Sequence, residues 1–116
     1  MRARPGVIEI PMSALRGEPP EWRALVMHPS APGSLVIAVR DDAGEAVAVD
    51  SAVLICSASV GGSGTSLPAT VSADPPQAEW GSAALATIPV GRWFYRVELT
   101  VGDLSGVGLA GLITVA

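Results

Sequence analysis

The 116-residue chain has no lysine and no asparagine, one cysteine, one histidine and only five aromatic residues. A single cysteine excludes an intrachain disulfide, and with a single histidine it excludes a Cys/His zinc site or a repeated histidine motif. Nucleophilic catalysis needs Ser, Thr or Cys within reach of a base, usually histidine, and His28 sits in a proline-rich stretch. Glycosidic chemistry needs two carboxylates facing each other across a cleft, whereas Asp41 and Asp42 are neighbours in a turn sequence and point apart. Without lysine, Gly61-Gly62-Ser63-Gly64-Thr65-Ser66 cannot act as a phosphate-cradling loop, and Asp41-Asp42-Ala43-Gly44-Glu45 lacks the ligand spacing of a calcium loop. The residue census therefore predicts no enzyme, no cofactor and no bound metal.

Charge of one sign is also short. Seven basic residues, all arginine, face eleven acidic ones for a net charge of −4, which repels a phosphate backbone and excludes nucleic acid as the expected partner. Arginine without lysine favours planar, partly desolvated contacts with carboxylates and carbonyls. Long apolar runs are missing from the start of the chain: after Arg2 and Arg4, Val7-Ile8-Glu9-Ile10-Pro11 is too short and too charged for a signal h-region. The uncharged stretch 51–73 is long enough to span a membrane, but it contains Pro68, closely spaced glycines and many hydroxyls. Neither export nor a membrane anchor is expected.

What is present is β-like. Apolar residues make up 49% of the chain, which excludes wholesale disorder, and one domain accounts for its length. No segment holds a helical 3-4 spacing; short β-rich runs separated by Gly, Pro, Ser and Asp recur, as in a sandwich or barrel. The spacing predicts a short strand at 7–10 and a central strand at 34–40, apolar on both faces. It further predicts a hairpin over 35–50 and strands at 52–60, 65–72 and 83–90, with a loop at 73–77. Arg92 to Val101 is the strongest strand: Trp93, Tyr95, Val97, Leu99 and Val101 share one face, opposite Arg92, Phe94, Arg96, Glu98 and Thr100. A turn at 102–106 and a final strand at 107–115 complete an all-β, Ig-like antiparallel β-sandwich of about seven or eight strands. Cys56 reads as a small buried core residue.

Residues 1–33 carry Pro11, Pro19, Pro20, Pro29 and Pro32 after Gly6, together with Arg2, Arg4, Arg16 and Arg23. Proline cannot donate to a sheet ladder, so this segment reads as an extended arm lying against a partner, with 34–116 as the sandwich domain. Ile8, Ile10, Arg16 and Trp22 are its expected contacts. Trp80, read like Trp22 as a loop residue, and the Arg92-Phe94-Arg96 ladder are further candidate interface residues, because aromatics and arginine are enriched at interface hot spots. Core packing and ordinary solvated cover are the competing readings of each.

The C-terminal third carries a recognisable pattern. Ala86-Thr87-Ile88-Pro89-Val90-Gly91-Arg92-Trp93-Phe94-Tyr95-Arg96-Val97-Glu98-Leu99-Thr100, a polar turn, then Gly111-Leu112-Ile113-Thr114-Val115 resembles the close of the Ig-like domain of tailed-phage structural proteins. These include the N-terminal domain of baseplate upper proteins. In that family an early strand ends in an Asp-x-x-Gly hairpin, here Asp41-Asp42-Ala43-Gly44, and the next strand begins near an Asp, here Asp50. The resemblance spans about residues 34–116. It implies a non-enzymatic virion structural module of tail, baseplate, neck or capsid, assembled in the host cytoplasm and docked on other virion proteins as a symmetric, multi-copy component. The alternative reading is a carbohydrate- or cell-surface-binding module using Trp22 and Trp80.

Overall fold

The computed structural model describes residues 7–27, 34–59, 64–73 and 76–115. Eleven strands occur among them: β1 (Val7–Pro11), β2 (Glu21–Trp22), β3 (Leu25–Met27), β4 (Leu35–Arg40), β5 (Ala46–Val47) and β6 (Ser51–Ser57), then β7 (Thr65–Pro68), β8 (Thr70–Ala73), β9 (Pro76–Trp80), β10 (Gly91–Val101) and β11 (Leu104–Val115). They form two sheets. The first has the order β1-β4-β9-β8 with β5 also on β4; the second runs β2-β11-β10-β6-β7 with β3 also on β11. The all-β sandwich is as the sequence predicts, but both sheets are mixed, since β1 runs parallel to β4 and β2 and β3 run parallel to β11.

Those parallel pairings all come from the segment read as an arm. Ile8 and Ile10 pair with Ile37 and Val39 and point into the core, where Ile10 is fully buried. They are therefore corrected from partner contacts to core residues of this chain. The prolines permit this because they fall at element ends: Pro11 closes β1, and Pro19 and Pro20 precede β2, so no ladder interior loses a donor. A 3-10 turn at Met12–Arg16 buries Ala14 and Leu15 against the rest of the core.

The alternation of β10 holds. Tyr95, Val97, Leu99 and Val101 are buried, and they share the inner face of their sheet with Leu54, Ala52, Leu109 and Ile113. Trp93 sits at the margin, half-buried, with its indole N–H donating to the Pro89 carbonyl at 2.9 Å. Where β10 meets β11 the register shifts between Val97 and Glu98, leaving Gly108 unpaired. A Cβ on Gly108 would lie 2.8 Å from Leu99 and 2.9 Å from Ile10, so the bulge is flush with the core.

Two local expectations fail. The run 83–90 is not a strand: Ser82–Leu85 makes one helical turn after Gly81, because Ala83, Ala84 and Leu85 are strong helix formers without β-branching. The loop expected at 73–77 is narrowed by β8, which reaches Ala73, and β9, which starts at Pro76 and buries Ala78 and Trp80; residues 74 and 75 lie outside the described residues. Strand β7 passes into β8 at Ala69, whose N–H donates to the Ala52 carbonyl, and the chain changes sheets there. The expected hairpin over 35–50 forms only as a short β4–β5 pairing, because β4 spends its length on β1 and β9.

Candidate interaction surface

The two outer faces of the sandwich differ. On the first sheet the outward residues of β1, β4 and β9 include Glu9, Arg40, Gln77 and Glu79, and Arg40 makes a close ion pair with Glu9. On the second sheet cross-strand partners share a face, and the register sets them in rows. One row runs Trp22, Ala110, Arg96, Ile55; the next sets Leu112, Phe94 and Ser57 side by side. Leu112, Phe94, Ile55 and Val53 are all half-buried on this outward face, and Ser57 beside Phe94 is buried. Trp22 is 62% exposed, the most open of the tryptophans. Pro20, Trp22, Phe94, Arg96, Val107 and Ala110 line a groove of about 310 Å³ on this face.

Of the residues singled out from the sequence, the structure brings Trp22, Phe94 and Arg96 together here, with Arg92 at the start of the same strand. Arg92 is exposed, and Arg96 donates through Nε to Glu98 at 3.2 Å. Arg16 is elsewhere, at the end of the 3-10 turn, where it bridges to Asp42 at 3.2 Å. Trp80 is corrected from the surface to the interior: it is 1% exposed, and its indole N–H donates to the Leu67 carbonyl at 2.7 Å. The polar handle of the ring is satisfied inside, which is what lets so large a side chain be buried there. Its signal was the alternation Gln77-Ala78-Glu79-Trp80, too short to outweigh the preceding prolines. Val53, Ile55 and Leu112 were missed as surface residues because apolar type alone does not tell the two faces of a strand apart.

Among the described residues two titratable groups, Cys56 and Tyr95, are clearly displaced from their ordinary values. Burial pushes the Cys56 thiol up to about 11, so at neutral pH it is a protonated, enclosed group. Burial also raises Tyr95, with the Arg23 charge pulling modestly the other way, and its hydroxyl donates to the Arg23 carbonyl. Among the described residues no three His, Cys, Asp or Glu side chains converge as a metal site would require. His28 lies outside the described residues. No helix among the described residues is long and apolar enough to cross a membrane.

The Asp-x-x-Gly segment does make a tight turn. Asp41 Oδ1 accepts from the backbone N–H of Ala43 and of Glu45, both at 2.9 Å, and the Gly44 N–H donates to the Asp41 carbonyl at 3.0 Å. Asp50, just before β6, accepts the Gly102 N–H at 2.7 Å and ties that strand start to the β10–β11 turn.

No protein-family model matches the chain, and no curated protein matches it. Among solved structures it is similar to the N-terminal domain of phage TP901-1 ORF48, with a TM-score of 0.50 at 12% identity, covering 94% of this chain and 95% of that one. The likeness is one of fold, and it extends over the N-terminal strands as well as the sandwich recognised from sequence.

Proposed function

We propose that this protein is a non-enzymatic structural module of a phage virion that docks on other virion proteins, in the tail, neck, baseplate or capsid. The observation that carries the reading is the whole-length likeness of its fold to a phage protein domain. The sequence pattern at 86–115 resembles the same class of protein. The surface is in keeping with such a role: on one broad sheet face half-buried apolar residues stand around the arginines of the central strand, with Trp22 on the edge strand, which suits contact with protein. The glycan-binding alternative loses its platform, since Trp80 lies in the core and cannot stack on a sugar beside Trp22.

The test is to purify particles of the phage that encodes the chain and to quantify it by mass spectrometry against a major structural protein. A virion module is present at a copy number set by particle symmetry. Recovery of the chain solely as free protein outside particles overturns the reading.

A further inference from the structure

The outward residues of β10 read Arg92, Phe94, Arg96, Glu98; of the inward residues between them Tyr95 and Val97 are buried and Trp93 is half-buried. Read backwards about position 95, the series is complementary to itself: Arg92 falls opposite Glu98 of a second copy, and Phe94 falls opposite its Arg96. We propose that two copies of this chain associate face to face through the outer surface of the second sheet, about a two-fold axis near Tyr95, with these four residues setting the register. This goes beyond the virion reading and does not depend on it.

Such a contact is isologous, so every pairing occurs twice. It contains two Arg92–Glu98 ion pairs at its edges and two Phe94–Arg96 cation–π contacts near its centre. Sheets pack about 10 Å apart with strands crossing at about 30°, and residue 92 lies about 10 Å along the strand from the axis. The crossing then displaces the outer pairs by roughly 5 Å, within the reach of an arginine and a glutamate side chain. Other registers are worse. Centring on 94 opposes Arg92 to Arg96; centring on 96 opposes Phe94 to Glu98. Centring on 97 repeats the Arg96–Glu98 pairing that the chain already makes internally and leaves Arg92 unused.

The surroundings supply the apolar area. Leu112, Ile55, Val53 and Ala110 flank the strand in half-buried positions, and the exposed Trp22 stands beside Ala110 where it would close over the partner. Arg92 has no partner among the described residues, whereas Glu98, half exposed, can accept from both its internal arginine and an incoming one. On the outer face of the first sheet, Arg40, the arginine of β4, is paired with Glu9 within the chain.

Sedimentation velocity of the full chain over roughly 1–500 µM tests the proposal. A monomer–dimer equilibrium is expected. Arg92→Glu and Glu98→Arg should each weaken it about tenfold or more, and the double swap should restore it to within about threefold. Glu79→Arg, on the other sheet, should leave it unchanged. If Glu98→Arg fails to fold, Glu98→Gln takes its place and should weaken association severalfold. A chain monomeric throughout, a dimer indifferent to these charges, or a double swap that restores nothing overturns the proposal.

Discussion

The hydroxyl of Tyr95 donates to the backbone carbonyl of Arg23 at 2.5 Å, joining residues 72 positions apart. The contact is possible because Gly111, the cross-strand partner of Tyr95, has no side chain: a Cβ there would lie 2.1 Å from that same carbonyl oxygen. Gly111 also holds φ at +155°, which other residues rarely adopt. The Arg23 N–H in turn donates to the Ala110 carbonyl at 2.8 Å. The link between β2 and β3 is thus clamped flat against β11.

The two halves of that clamp separate by mutation. Tyr95→Phe loses one hydrogen bond and should cost about 1 kcal/mol in urea unfolding. Gly111→Ala must push the backbone of Arg23 aside and should cost more, on the order of 2–4 kcal/mol. Equal costs would mean that the hydroxyl, rather than the backbone approach, holds the segment down.

The tryptophans should rank by burial. Trp80→Ala removes a fully buried ring and its hydrogen bond to the Leu67 carbonyl, at a cost of about 3–5 kcal/mol. Trp22→Ala should change the stability of the monomer by less than about 0.5 kcal/mol, since the ring is mostly in solvent. Thermal melts at a concentration where the chain is monomeric decide the ranking.

The N-terminal segment should be indispensable to folding. Ile10 and Leu15 belong to the core, so Ile10→Ala should cost about 2–5 kcal/mol, and deletion of residues 1–20 should abolish cooperative unfolding. A truncated chain that still melts cooperatively would show that the remaining strands close the core without β1.

Alkali should destabilise the fold through Cys56 and Tyr95. Both folded-state values are raised by burial, so the unfolded chain loses these protons first and the folded state binds more of them. The stability due to Cys56 is complete below its unfolded value of 9.0 and is lost as pH rises from there towards about 11. Urea midpoints should be flat with respect to this thiol below that window and fall within it. Cys56→Ala should fall less steeply over the same range, and an identical slope would assign the effect to Tyr95 alone. At about pH 8, labelling of Cys56 by a thiol reagent should track unfolding rather than proceed in the native state.

The sequence by itself determined the fold class, the strand β10 with its inner face, the Asp41–Gly44 turn and the burial of Cys56. Each of these rests on local information: a period of two, a turn residue at a fixed offset, or a small apolar side chain within a strand. It also marked Arg92, Phe94 and Arg96 as outward, because a strand that buries Tyr95 and Val97 must turn their neighbours the other way. Only the tertiary structure decided where the N-terminal segment goes. Ile8 and Ile10 are core because Ile37 and Val39, about thirty positions away, lie beside them, and no window of sequence contains both strands. Trp80 is inside because a carbonyl on β7 meets its indole N–H. The apolar outer face likewise arises when register aligns Trp22, Ala110, Phe94 and Leu112 from three separate stretches of chain, and pairing at that range depends on the whole sandwich closing.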